Sequence, residues 1–209
     1  ELRIIRDNGE SFPTLDFEEI QAEIKLLPIR NAVLSLEGCM RIFRASDLVN
    51  HLLIFFDKRE KDFPLLNGIF SNCYHTNELL ELINKVFDRT GQVKDDASPL
   101  LMEIRQSIKT LRNQINRNFE REMRKLIKEN VLGDTKEAYV NERRVLTVLS
   151  THKRKISGTV VGSSKTGSLT FIEPLANIGL NNELEMTLDD ERKEIFRILQ
   201  ALTKDLAVF

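Results

Sequence analysis

Between Asp16 and Phe87 the apolar residues recur at helical spacing, in short blocks broken by Pro28, Gly38, Pro64 and Gly68. This pattern predicts a compact bundle of several helices. Asp16 before Phe17-Glu-Glu reads as one N-cap, and Thr76-Asn77-Glu78 reads as the start of another helix. The dense run Leu52, Leu53, Ile54, Phe55, Phe56 reads as core. After a break at Gly91 and Asp95-Asp-Ala-Ser-Pro, Ser98 is placed to cap a helix whose first residue is Pro99. Leu101, Ile104, Ile108, Leu111, Ile115, Phe119, Met123 and Leu126 then step by three or four, a heptad seam with a stutter. Run unbroken to about Val131, that helix is about 50 Å long at 1.5 Å per residue.

After Gly133 the period changes. Val145–Leu149, Ile156–Val161 and Ser168–Ile172 are short β-rich runs, which predict a small antiparallel sheet with a hairpin loop at Gly162–Gly167 and a stop at Pro174. From about Asn182 helical spacing returns through Leu184, Leu188, Ile195, Ile198, Leu202 and Leu206. The expected fold is therefore mainly α: a helical bundle core with a long antiparallel helical arm carrying a small antiparallel β-sheet. Its expected divisions are 1–90 for the core, 91–133 for the outgoing helix, 134–180 for the sheet element and 181–209 for the returning helix.

Charge agrees with an antiparallel pair. Ser98–Val131 holds eight basic and four acidic residues, whereas Asn181–Gln200 holds six acidic and three basic. On this basis Ile104, Ile108, Leu111 and Ile115 should face Ile195–Leu206, and Leu184 and Leu188 should lie near Phe119–Leu126. The basic stripe Arg105, Lys109, Arg112, Arg117, Arg121, Arg124 and Lys128 is then expected to be neutralised chiefly by acids of the returning helix.

With 209 residues, 41% hydrophobic and 30% charged, the chain has enough apolar residues for a real core. A formal net charge of -1 excludes a protein that coats nucleic acid through bulk charge, so any such contact needs a local patch. The two cysteines, Cys39 and Cys73, lie outside any CxxC pattern and predict buried reduced thiols in a cytoplasmic protein. No run is long enough to span a membrane and no signal peptide opens the chain, so no membrane partner is expected. The chain begins at Glu1 and stops at Phe209 inside a helical pattern, from which a longer parent is expected on both sides.

Catalytic and metal-binding patterns are sparse. Gly162-Ser-Ser-Lys165-Thr166 lacks the Gly before Lys that a phosphate loop needs, and strand formers follow it in place of a helix. His51, His75 and His152 have no partners at metal-ligand spacing, and no nucleophile stands beside a base. No enzyme activity, cofactor or metal site is expected within these residues. One charge signal does emerge. Arg143, Arg144, Lys153, Arg154, Lys155 and Lys165 fall between Arg143 and Ile172 with no acidic residue among them. Cations of that density, with Ser and Thr in the intervening loops, suit the positioning of phosphates without reading sequence. The alternative is a solvated hairpin that pairs with an acidic surface elsewhere.

Several strings together resemble the MutS family of DNA-handling ATPases, in its second bacterial branch, MutS-two. They are Asp95-Asp-Ala-Ser-Pro-Leu with Ile104-Arg105, Arg144-Val-Leu-Thr-Val, Gly158-Thr-Val-Val-Gly-Ser-Ser-Lys-Thr-Gly-Ser-Leu-Thr-Phe-Ile-Glu-Pro174 and Asn181-Asn-Glu-Leu. Val161-Gly162 and Thr147 depart from the branch's usual His-Asp pair and Pro. The resemblance is specific from about Phe87 to Leu206. It implies a MutS core followed by lever helices with a clamp-region sheet, and a role in recombination or at stalled ribosomes. It also implies an ATPase domain outside these residues that carries ATP, Mg and the main homodimer contacts, with a nuclease domain commonly added after it. The partners it implies are DNA, branched forms included, or ribosomal RNA. A second reading makes the arm a coiled-coil surface for self-association or ribosome binding.

Overall fold

A computed structural model describes residues 1–7 and 12–209. The fold is mainly α, with helices α1 (Leu2–Asp7), α2 (Gln21–Leu26), α3 (Leu36–Asp57), α4 (Pro64–Ile69), α5 (Asn77–Val86), α6 (Pro99–Glu129) and α7 (Leu175–Leu206). Between α6 and α7 lie strands β1 (Leu132–Val140), β2 (Arg143–Leu149), β3 (Gly158–Ser163) and β4 (Leu169–Pro174), with a 3-10 turn at Ser150–Lys155. The chain divides into a helical unit, residues 1–101 and 194–209, and a sheet unit, residues 102–193.

In the helical unit one core joins α3, α5, the start of α6 and the end of α7, with Cys39, Ile42, Ile83, Leu101, Leu202 and Leu206 all buried. Burial pushes the Cys39 thiol up to about 12, so it is packing and not a reactive group. Cys73, in contrast to the sequence expectation, is exposed. A second cluster is aromatic: Phe55 and Phe56 meet edge to face at 5.2 Å, and Phe70 stacks on Phe56 at 5.1 Å. Ile54 is 47% exposed and faces away from that core. Ser98 caps α6 by accepting from the Leu101 amide at 3.0 Å, and its own hydroxyl donates to Glu194 at 2.8 Å.

Asp16 does not cap a helix. Residues 12–20 carry no regular structure, and α2 begins at Gln21. The acidic Glu18 that seemed to mark a first helical turn is instead drawn to Arg44 at 2.6 Å. Glu23, buried in α2, is held by the Arg41 guanidinium, whose hydrogen bonds keep its carboxyl below the usual glutamate range.

In the sheet unit the strands are all antiparallel in the order β1-β2-β4-β3. Both faces of β2 are buried. One face packs Leu146, Val148 and, from β4, Ile172 against Phe119, Met123 and Leu126 of α6. The 3-10 turn leaves β2 at Leu149 and delivers the chain to Gly158, which pairs with Pro174 at the other end of β4, so the β2–β3 link is a crossover. A side chain at Gly158 would strike the Glu173 carbonyl, which ties that close approach to glycine.

Two expectations need correction. The strand β1 lies in a stretch too polar and irregular to read as one, and its register shifts between Leu132 and Glu137. The helix pairing is antiparallel but shifted. Within the sheet unit Arg105 meets Glu191 at 2.7 Å, Asn177 donates to the Ile115 carbonyl at 3.1 Å, and Asn118 donates to the Ala176 carbonyl at 3.3 Å. The partner of Arg105–Asn118 within this unit is therefore the stretch Ala176–Glu191, earlier in the returning helix than expected. Phe119–Leu126 packs on the sheet, and not on Leu184 and Leu188. The cause is that α7 starts directly after β4, at Leu175, ahead of Asn182 where apolar helical spacing becomes visible.

Candidate nucleic-acid interface

The six cations singled out from sequence separate into two groups. Arg143 and Arg144 open β2, and adjacent residues on a strand point to opposite faces. Arg143 reaches the face on which Glu173 is buried, at 3.2 Å, and also meets Glu185 at 3.0 Å and Asn182 at 2.8 Å. Asn181 completes this network by donating to Glu173 at 2.7 Å. Arg144 lies on the α6 face, where its guanidinium sits 4.1 Å from the centre of the Phe119 ring. There it bridges Glu120 at 2.7 Å and Glu137 at 2.9 Å.

Burial opposes the charge on both arginines, but the carboxylate hydrogen bonds outweigh it and raise both pKa values. These two side chains hold the strand root to α6 and α7. Their carboxylates come from outside the acid-free run, and Glu173 is the first residue beyond it.

The other four are exposed and follow β2 in the chain. Lys153, Arg154 and Lys155 stand on the 3-10 turn, and Lys165 on the β3–β4 hairpin. Ser150 ties turn and hairpin together: its amide donates to Ser168 at 2.9 Å, and its hydroxyl donates to Gly167 at 2.6 Å. The hairpin is braced by Ser164, whose hydroxyl accepts from the Leu169 amide at 3.1 Å, and by a Thr166–Ser168 hydroxyl contact at 2.8 Å. Among the described residues none of the four cations forms an ion pair. The turn and hairpin thus present four free positive charges among exposed hydroxyls, with β4 following in place of a helix.

Sequence reasoning undervalued one further set. Arg117, Arg121, Arg124, Lys125 and Lys128 are exposed on α6, and none of them pairs with α7 among the described residues. The acids expected to neutralise them are engaged elsewhere, Asp189 with Arg192 and Asp190 with Lys193, each at 3.0 Å. Among the described residues only Arg105 of the stripe meets an α7 carboxylate.

Among the described residues no group of three or more His, Cys, Asp or Glu is arranged to hold a metal ion, and no helix is long and apolar enough to cross a membrane. His51 and His75 lie beside Asp47 and Asp57 at 3.4 and 3.6 Å.

No family model matches the chain. Curated relatives do. A protein named Endonuclease MutS2 from Aquifex aeolicus is 28% identical over 95% of this chain and 26% of its own length. Another of that name from Agathobacter rectalis is 29% identical over 99% of this chain and 26% of its own. A third, from Lactococcus lactis subsp. cremoris, is 32% identical over 92% of this chain and 24% of its own. The chain spans about a quarter of the length of these relatives. Over nearly its whole length, then, the chain is similar to one part of proteins named Endonuclease MutS2.

Proposed function

We propose that this chain is the nucleic-acid-holding part of a larger MutS2-like ATPase that handles DNA in repair and recombination, and that it grips the phosphate backbone without reading bases. The observation that carries this reading is the set of four exposed cations without ion pairs among the described residues, Lys153, Arg154 and Lys155 on the crossover turn and Lys165 on the hairpin, with the start of the turn tied to the hairpin by the Ser150 contacts. Arg143 and Arg144 support it indirectly, by anchoring the strand from which the turn departs. ATP and Mg act, in this reading, through residues outside the chain, as do any nuclease step and the homodimer contacts.

The test is the salt dependence of duplex DNA binding by this chain. Four direct phosphate contacts give a log-log slope of about -3.6, and replacing Lys153, Arg154 and Lys155 together by Ala flattens it by about 2.7. Unchanged binding of duplex, branched and single-stranded DNA by that variant would contradict the reading. Thermal stabilisation of the chain by ATP and Mg, lost on Lys165→Ala, would contradict the placement of nucleotide chemistry elsewhere.

A further inference from the structure

The outward face of α6 is the largest unpartnered charge in the sheet unit. Phe119, Met123 and Leu126 turn inward to the sheet, so at 3.6 residues per turn the side chains of Arg117, Arg121, Arg124 and Lys128, spaced four, three and four, point the opposite way with Lys125 beside them. They cover about 16 Å of helix at 1.5 Å per residue. Together with Asn116 they line an open groove of about 570 Å³. The one carboxylate in the groove, Glu120, is bonded to Arg144 at 2.7 Å. Arg121 has only a 3.3 Å hydrogen bond to Asn118.

An intramolecular role does not account for the stripe. Cations near a helix C-terminus complement its dipole, which explains Lys125 and Lys128 in the last turn or so but not Arg117 and Arg121 farther back. Like charges three and four residues apart repel, and here that arrangement recurs at 117/121, 121/124, 121/125, 124/128 and 125/128. A ligand that supplies regularly spaced negative charge removes this repulsion.

We propose that this face is a second phosphate-backbone site, separate from the turn and hairpin, that lies along a nucleic-acid strand. It shares with the proposed function the premise that the chain holds nucleic acid, but it stands on different residues. A membrane surface fits poorly, because amphipathic helices enter lipid through an apolar face and that face of α6 is buried against the sheet. An acidic protein fits poorly because the stripe carries no aromatic side chain and the exposed Ile127 lies on its flank alone, too little apolar surface for a dry interface centre.

The experiment compares the chain with Arg117→Gln/Arg121→Gln/Lys125→Gln, measuring the salt slope of duplex binding beside Lys153→Ala/Arg154→Ala/Lys155→Ala. The α6 variant is expected to flatten the slope by about 2.7, and to flatten it further when combined with the turn variant. Its thermal midpoint is expected to stay level or rise at low salt as the repulsion is relieved. Should the triple variant fail to fold, each single Gln variant reads the same effect at about 0.9 of slope. A slope unchanged by the α6 variant overturns the proposal even if the turn variant weakens binding. A loss in the α6 variant alone sustains it while removing the turn. Polyglutamate or anionic vesicles competing as well as duplex DNA at equal charge would overturn the assignment to nucleic acid.

Discussion

Arg143 and Arg144 at the start of β2, and Lys153, Arg154 and Lys155 on the crossover that follows it, belong to one acid-free run, yet the fold treats them oppositely. At the strand root, carboxylates from α6, β1, β4 and α7 converge on two guanidinium groups. On the crossover the cations stand exposed, and among the described residues none forms an ion pair. A buried cation without its partners is costly, so the root charges are committed to the fold, whereas solvated cations contribute little to it and stay available to a ligand.

The largest expected effect lies at the root. Phe119 is fully buried and carries Arg144 on its ring, so Phe119→Ala should cost about 3–5 kcal/mol in urea unfolding. Arg144→Gln should cost less, about 2–3 kcal/mol, because the Arg144 side chain retains 16% exposure and the carboxylates it leaves are partly solvated. A value near zero for Arg144→Gln would remove the contrast between the strand root and the crossover.

The helical unit offers a control on the same principle. Glu23 is held below the usual glutamate range by Arg41, so its folded pKa lies under its unfolded one. Its contribution is present above the ordinary glutamate value of about 4.3 and is lost as pH falls through the lower folded value. Glu23→Gln should therefore reduce stability near neutrality and lessen its acid dependence, measured as unfolding midpoints between about pH 6 and 3. Equal losses at both pH values would show that packing, and not charge, explains the site.

The smallest expected effect on stability is at the turn. Lys153→Ala, Arg154→Ala and Lys155→Ala should each change it by no more than about 0.5 kcal/mol. Larger losses would place those side chains in the fold.

The long helix α6 was legible because its signals are local. Ser98-Pro99 marks the start of α6, and its heptad seam runs along the buried face that meets the sheet at Phe119 and Leu126. The strand β1 was not, because Leu132–Val140 mixes exposed charge with a register shift and so shows no steady alternation. The 3-10 turn is too short for any period. The fate of Arg143 was hidden for a different reason: its partners Glu173 and Glu185 lie 30 and 42 residues away, and only the closed sheet brings them together. Counting acids inside a window cannot detect carboxylates that arrive from outside it. The same blindness made the α6 stripe look neutralised, since of the α7 acids Asp189 and Asp190 pair within their own helix and Glu185 goes to Arg143.

The division between structural and ligand-facing cations is tested most directly by measuring both properties on two variants, Arg144→Gln and the Lys153/Arg154/Lys155 triple Ala. Each is scored for urea stability and for the salt slope of duplex DNA binding, below the melting temperature of the weaker one. A crossed result is expected: Arg144→Gln loses about 2–3 kcal/mol and keeps its slope, while the triple variant keeps its stability and loses about 2.7 of slope. An Arg144→Gln protein of undiminished stability whose slope falls by about 0.9 would contradict it, because Arg144 would then be gripping phosphate and not the fold.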